Sequence, residues 1–356
     1  MNLAVKRPLH STGVSGLVAA GLGAVVVVAV HLDGRAHLLN PPDSFFTPWH
    51  GVLYGGVTAL FGWLLIAGRA HGRRTGARFR MPEGYGLALA GAALFLAGGA
   101  ADLVWHTVFG IEFGIDALLS PAHLWLFTAA ALMLSGPVRA ALASGARPTG
   151  PRLAAAELAV TSLAGVAGFA LSFLSAYFTD APTRALPHFP EGTPEHAAVE
   201  VPAAWGLASY LVTSLVLAVP VAWLVLRWRL PFGTVTTFAS GLALLATVLG
   251  DFDRAYQVGA AALGGLAVDA FLHFAARRRV SSRIQAIVAA GLLPAVAWTA
   301  QLVAMANVEG VQWPAALIGG VVTLSALLSA LAGGFLAAPT DMQGPARLAA
   351  RPNHNA

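Results

Sequence analysis

HLDGRAHLLNPPDSFFTPWHGVLY, residues 31–54, lies between two apolar runs that are each long enough to cross a bilayer. Asp33 and His37 stand four apart, so a helix continuing through them projects both from one face, one turn above the other. Pro41 and Pro42 then end that helix, because neither supplies an amide hydrogen. Thr47 and Pro48 restart the chain with a hydroxyl cap and a residue already fixed near the helical φ, which puts His50 in the first turn of a returning helix. The spacing predicts a helical hairpin whose mouth gathers one carboxylate and two imidazoles, a set suited to a metal ion.

The rest of the composition fits membrane helices. Of 356 residues 57% are hydrophobic and 10% charged, with a mean hydropathy of +0.71, too apolar for a soluble domain of this length. The fold class expected is therefore an all-α, polytopic integral membrane bundle embedded in a lipid bilayer. Ten segments qualify at about twenty residues per crossing, over residues 12–32, 48–68, 84–107, 120–143, 153–177, 202–226, 232–250, 256–275, 284–305 and 314–337. Residues 1–145 would hold the metal hairpins, 146–340 a six-helix scaffold and 341–356 a disordered cytoplasmic tail. Lys6 and Arg7 before an apolar run imitate a signal peptide, but no small-residue cleavage pattern follows, so the run is expected to be retained.

Charge sets orientation instead of ligand class. The net charge of +5 resides in short loops between apolar segments, which argues against nucleic acid as a partner. With the N-terminus cytoplasmic, only Arg35, Arg184 and Arg254 of the 21 Lys and Arg fall outside. The arginines at 69, 73, 74, 78 and 80, and those at 277, 278, 279 and 283, then fall inside. By the positive-inside rule this places both termini in the cytoplasm of a plasma-membrane protein and the hairpin mouth on the extracytoplasmic side. Cysteine is absent, which excludes thiolate sites, disulfides and cysteine nucleophiles. None of the five methionines falls in the motif, so no thioether site is indicated.

The hairpin is duplicated. Asp102, His106, Asp116, Ser120, Pro121 and His123 repeat Asp33, His37, Asp43, Thr47, Pro48 and His50, with the Asp-x-x-x-His step kept and only the loop longer, by four residues. Both copies start inside and turn outside, a parallel repeat of the sort that builds membrane sites between related halves. The plainer reading makes Asp33 and Asp43 caps of helix ends, with His37 and His50 as boundary residues. Duplication weighs against it.

Over residues 33–50 the chain resembles the C subunits of the copper-dependent particulate methane and ammonia monooxygenases. That family carries Asp-Gly-x-x-His, five residues, then Asp-x-x-Phe-Thr-Pro-x-His, and here Asp33, Gly34, His37, Asp43, Phe46, Thr47, Pro48 and His50 stand at those spacings. The resemblance implies copper ligation by Asp33, His37 and His50, and oxygen-dependent hydroxylation of a small apolar substrate arriving from the bilayer. It implies a second metal position too, where the family has Asn in place of Asp102. Partner subunits would be needed, since nothing here matches the soluble copper domain of the family's B subunit; a homo-oligomer is the other assembly expected.

Residue types alone leave the ion open among copper, zinc and iron. Asp43, Asp116, Thr47 and Ser120 are expected behind the ligands, orienting imidazoles or helix starts. His31 reads as an interfacial histidine or an added ligand, and Glu112 as a loop charge or an added ligand. Asp251 and Asp253 are placed to reach the cluster from another part of the bundle. Asp269 and His273 repeat the four-residue step at the cytoplasmic end, where pairing with Arg277 is the reading preferred. The loop at 179–200 would cover the hairpin mouths or simply connect. Two rival functions remain: a metal transporter or delivery protein in which Asp269 and His273 receive the ion, and a non-metal scaffold or proton conductor whose acids and histidines line a wet cavity.

Overall fold

The apolar runs all become helices, and among the described residues there is no strand. The structure is a computed structural model describing residues 13–39, 46–112 and 114–338. The helices are α1 (Gly13–Leu39), α2 (Pro48–Thr75), α3 (Gly86–Phe109), α4 (Gly114–Leu119), α5 (Pro121–Leu134), α6 (Gly136–Ala143), α7 (Pro151–Ala170), α8 (Pro194–Arg227), α9 (Thr234–Leu249), α10 (Tyr256–Arg277), α11 (Ser282–Val308) and α12 (Ala315–Leu336). Nine spans among the described residues are long and apolar enough to cross a membrane, with α5 and α6 counting as one. The chain is a multi-pass membrane helix bundle. The remaining apolar segment, α9, has 16 residues, or about 24 Å at 1.5 Å per residue. Asp43, Pro41, Pro42, Lys6, Arg7 and the tail at 341–356 lie outside the described residues.

Several helix boundaries depart from expectation: α1 and α2 each run seven residues further than the segments 12–32 and 48–68, to Leu39 and Thr75. The fifth segment stops at Ala170 and gives way to a short 3-10 turn, Ser172–Leu174. The sixth begins eight residues early, at Pro194, where Thr193 Oγ1 accepts from the His196 amide at 3.2 Å. The signal is the same Thr-Pro start that opens α2, masked in the sequence by the polar residues that follow it.

Helix α1 packs along α2 and α7, and α3 along α5; α8 to α12 make the second group. One buried cluster joins Val26, Val57, Leu60, Phe95 and Met133, and another surrounds Tyr210, Leu217, Leu293 and Trp298. The long connector is bonded into the second group. Gln257 Nε2 donates to Tyr177 O at 2.9 Å, Gln301 Nε2 to Ala176 O at 3.0 Å and Arg254 to Thr179 O at 2.7 Å.

The three arginines that the charge rule leaves on the outer side are each neutralised. Arg35 pairs with Asp251, Arg184 with Asp180 at 2.8 Å and Arg254 with Glu309 at 2.7 Å. These contacts collect the C-terminal end of α1, the α9–α10 turn and the end of α11 at one end of the bundle. Asp269 serves the other end. Its carboxylate accepts from Val235 N at 3.2 Å, Thr236 N at 2.9 Å and Thr236 Oγ1 at 2.7 Å. It caps α9, whose first amides need acceptors and whose positive end favours an anion. The expected pairing with Arg277 is therefore corrected.

Candidate metal centre

Helix α1 does run through Asp33 and His37, and α2 starts at Pro48 with Thr47 Oγ1 accepting from His50 N at 3.1 Å. These two local facts bring the three side chains together. His50 Nε2 lies 3.3 Å and His37 Nε2 3.7 Å from Asp33 Oδ2, and the two imidazole centroids are 5.6 Å apart. Gly34 has a packing reason: a Cβ there would lie 2.6 Å from the Phe169 ring, so the glycine lets α1 press against α7.

The second hairpin repeats the arrangement deeper in the bundle. His106 Nε2 stands 3.5 Å and His123 Nε2 3.8 Å from Asp102 Oδ1. Asp102 is 2% exposed at its side chain against 14% for Asp33. Here the outer nitrogens are also held: His106 Nδ1 donates to Gly110 O at 3.2 Å, and Ser120 Oγ lies 2.9 Å from His123 Nδ1 while accepting His123 N at 3.3 Å. A carbonyl can only accept, so Nδ1 of His106 is a donor to Gly110 O, and Nε2 is the nitrogen turned toward Asp102. An imidazole nitrogen thus faces a buried carboxylate oxygen.

A carboxylate oxygen buried without a donor is costly unless a cation, a metal ion or a proton, compensates it. Asp33 Oδ1, His37 Nε2 and Asp102 Oδ1 are all buried without a hydrogen-bond partner. In each cluster one donor atom per residue falls within 4.8 Å of the others. With bonds of about 2.1 Å, donors around one ion at roughly 90–130° stand about 3.0–3.8 Å apart. The four carboxylate–imidazole distances lie in that range, so both donor sets fit an ion.

The clusters are neighbours. His37 is within electrostatic range of His106 and His123, and Tyr54 is within range of both Asp33 and Asp102. Tyr54 sits one turn after His50, with ring centroids 6.1 Å apart, and it fills the space over Gly99, where a Cβ would lie 2.4 Å from its ring. The sequence alone gives Tyr54 no role. The usable signal was its four-residue step from His50, which puts both on one face of α2.

The other candidates stand apart from these two sets. Asp116 is exposed in the first turn of α4, so the position behind His123 belongs to Ser120. Glu112 is no free loop charge: it accepts from Trp105 Nε1 at 2.8 Å. Asp251 is taken by Arg35, and Asp253 is exposed. His273 packs edge-on to Phe232, with Asp269 committed to its cap. His31 turns its Nδ1 to Val27 O at 2.8 Å and packs against Phe169 at 5.2 Å, in the core rather than at an interface.

No family model, no curated protein and no solved structure matches the chain.

Proposed function

We propose that this is a membrane metalloprotein holding two ions, one at Asp33, His37 and His50 and one at Asp102, His106 and His123, with copper the ion favoured by the motif. The observation that carries the reading is Asp102 Oδ1, buried without a hydrogen-bond partner, with the Nε2 atoms of His106 and His123 at 3.5 and 3.8 Å around it. Copper held there would supply redox chemistry suited to oxygen-dependent oxidation of a small apolar substrate. The protein's own groups fix the geometry. Gly110 O and Ser120 Oγ orient two imidazoles, as groups behind metal-bound histidines do, and the apolar helices around both carboxylates limit water. Three protein donors per ion leave room for a further ligand.

Transport across the membrane has less support. A relay would need Asp269 on the far side, and both of its oxygens are engaged in capping α9. Metal analysis of the detergent-purified chain tests the main reading. Two equivalents are expected in the wild type, and one in either His37→Ala/His50→Ala or Asp102→Ala. Equal metal content in all three proteins would overturn it, and would turn attention to protons as the cations shared by these groups.

A further inference from the structure

A cavity of about 40 Å³ lies between α1, the C-terminal half of α7, α8 and α9, on the side of α1 away from the metal ligands. Its wall is built from Gly168, Leu171, Val216, Leu242 and Leu249, with His31 and Tyr177 as the ionisable side chains. At about 10–15 Å³ for each water-sized occupant this is room for about three waters, or a molecule of about three to five heavy atoms. Cavities with walls of this kind accept small, mostly apolar guests.

The other polar atoms of the wall are used. Thr213 Oγ1 accepts from Ala176 N and donates to Ser209 O, both at 2.8 Å. Ser175 Oγ accepts from Tyr177 N at 3.2 Å. His31 Nδ1 meets a carbonyl, so it must carry the proton, and Nε2 is left as an acceptor in the neutral ring. That nitrogen asks for a donor. Tyr177 Oη is buried without a hydrogen-bond partner, and a phenol can donate to the guest's oxygen. A wall otherwise apolar, with one acceptor in His31 and one donor in Tyr177, selects a short chain bearing one hydroxyl, which serves both, over a carbonyl compound, which can only accept, or a bare hydrocarbon. An aromatic layer separates the cavity from the second cluster: Phe169 packs on His31, Phe127 on Phe169 at 6.1 Å, and His123 on Phe127 at 6.5 Å.

We propose that this cavity binds a short-chain alcohol, its hydroxyl donating to His31 Nε2 and its carbons lying against the leucines of α9. The inference is independent of the metal reading, since no ion enters it. Gly168 provides the test, because a Cβ added there meets nothing within 4 Å, so Gly168→Leu fills the space without a clash. Crystals of the full chain are soaked in 2-bromoethanol or in bromoethane, and the bromine is located by anomalous diffraction. Wild type should show bromine in the cavity with both probes, and the alcohol at about five-fold higher apparent affinity, the worth of one hydrogen bond. Gly168→Leu should lose both peaks, and His31→Leu should bring the alcohol down to the level of bromoethane. Absence of bromine from the wild-type cavity would overturn the proposal whatever the variants do. Equal affinity for the two probes in wild type would overturn the hydroxyl assignment.

Discussion

The two hairpins share one pattern yet hold it differently, and a third helix start in the same chain shows which part of the pattern matters. Asp33 keeps some exposure at 14% while Asp102 has almost none at 2%. The second copy also carries a serine hydroxyl on the outer nitrogen of His123. At α8, Thr193, Pro194 and His196 reproduce the hydroxyl-Pro-x-His start, cap included. Even so, among the described residues only the two hairpins that pair an Asp-x-x-x-His step with such a start form possible ligand sets. The hydroxyl and proline therefore make a helix begin, and the acid one hairpin arm earlier turns a capped histidine into a candidate ligand.

The strongest way to break this comparison is Asp102→Ala. Removing the buried carboxylate should cost the second ion about 100-fold or more in affinity, beyond what loss of an orienting group does, while titration of the first site stays unchanged. Coupled loss of both ions would show that the clusters are one site. Ser120→Ala comes next, with an expected weakening of about 10–100-fold at the second site alone. If the affinity held, the serine would be only a cap, like Thr193.

Gly99→Ala sharpens the contact between the hairpins. The new methyl must displace the Tyr54 ring, at an expected cost of about 1–3 kcal/mol in unfolding stability. A neutral result would mean that Tyr54 moves aside freely. Thr193→Ala should cost about 1 kcal/mol through its cap and leave the metal content untouched; a change in metal content would mean that α8 reaches the centre.

Much of this was legible in the sequence for identifiable reasons. The apolar runs declare the spans, and the four-residue step of Asp33 and His37 declares a shared face, since both depend on local geometry. Duplication made the second cluster visible despite its altered loop. What escaped depended on contacts between distant segments. Nothing local to Asp269 says that the amides of α9 will need it, and nothing local to Asp251 says that Arg35 arrives there. His31 has the look of a boundary residue until α7 and its Phe169 are packed over it. Tyr54 lies only four residues beyond His50, but its meaning comes from Gly99 on another helix.

The shortness of α9 has a consequence for the surrounding lipid. As a crossing, its length of about 24 Å would fall short of a hydrocarbon slab of about 30 Å, so acyl chains beside it would compress, or the turn carrying Asp251 would dip beneath the headgroups. Thinner bilayers relieve that mismatch at fractions of a kcal/mol per Å. Reconstituted in phosphatidylcholines of graded tail length, the protein should resist heat best in the shorter ones. A flat profile would mean that neighbouring helices shield α9 from the solvent it was fitted to.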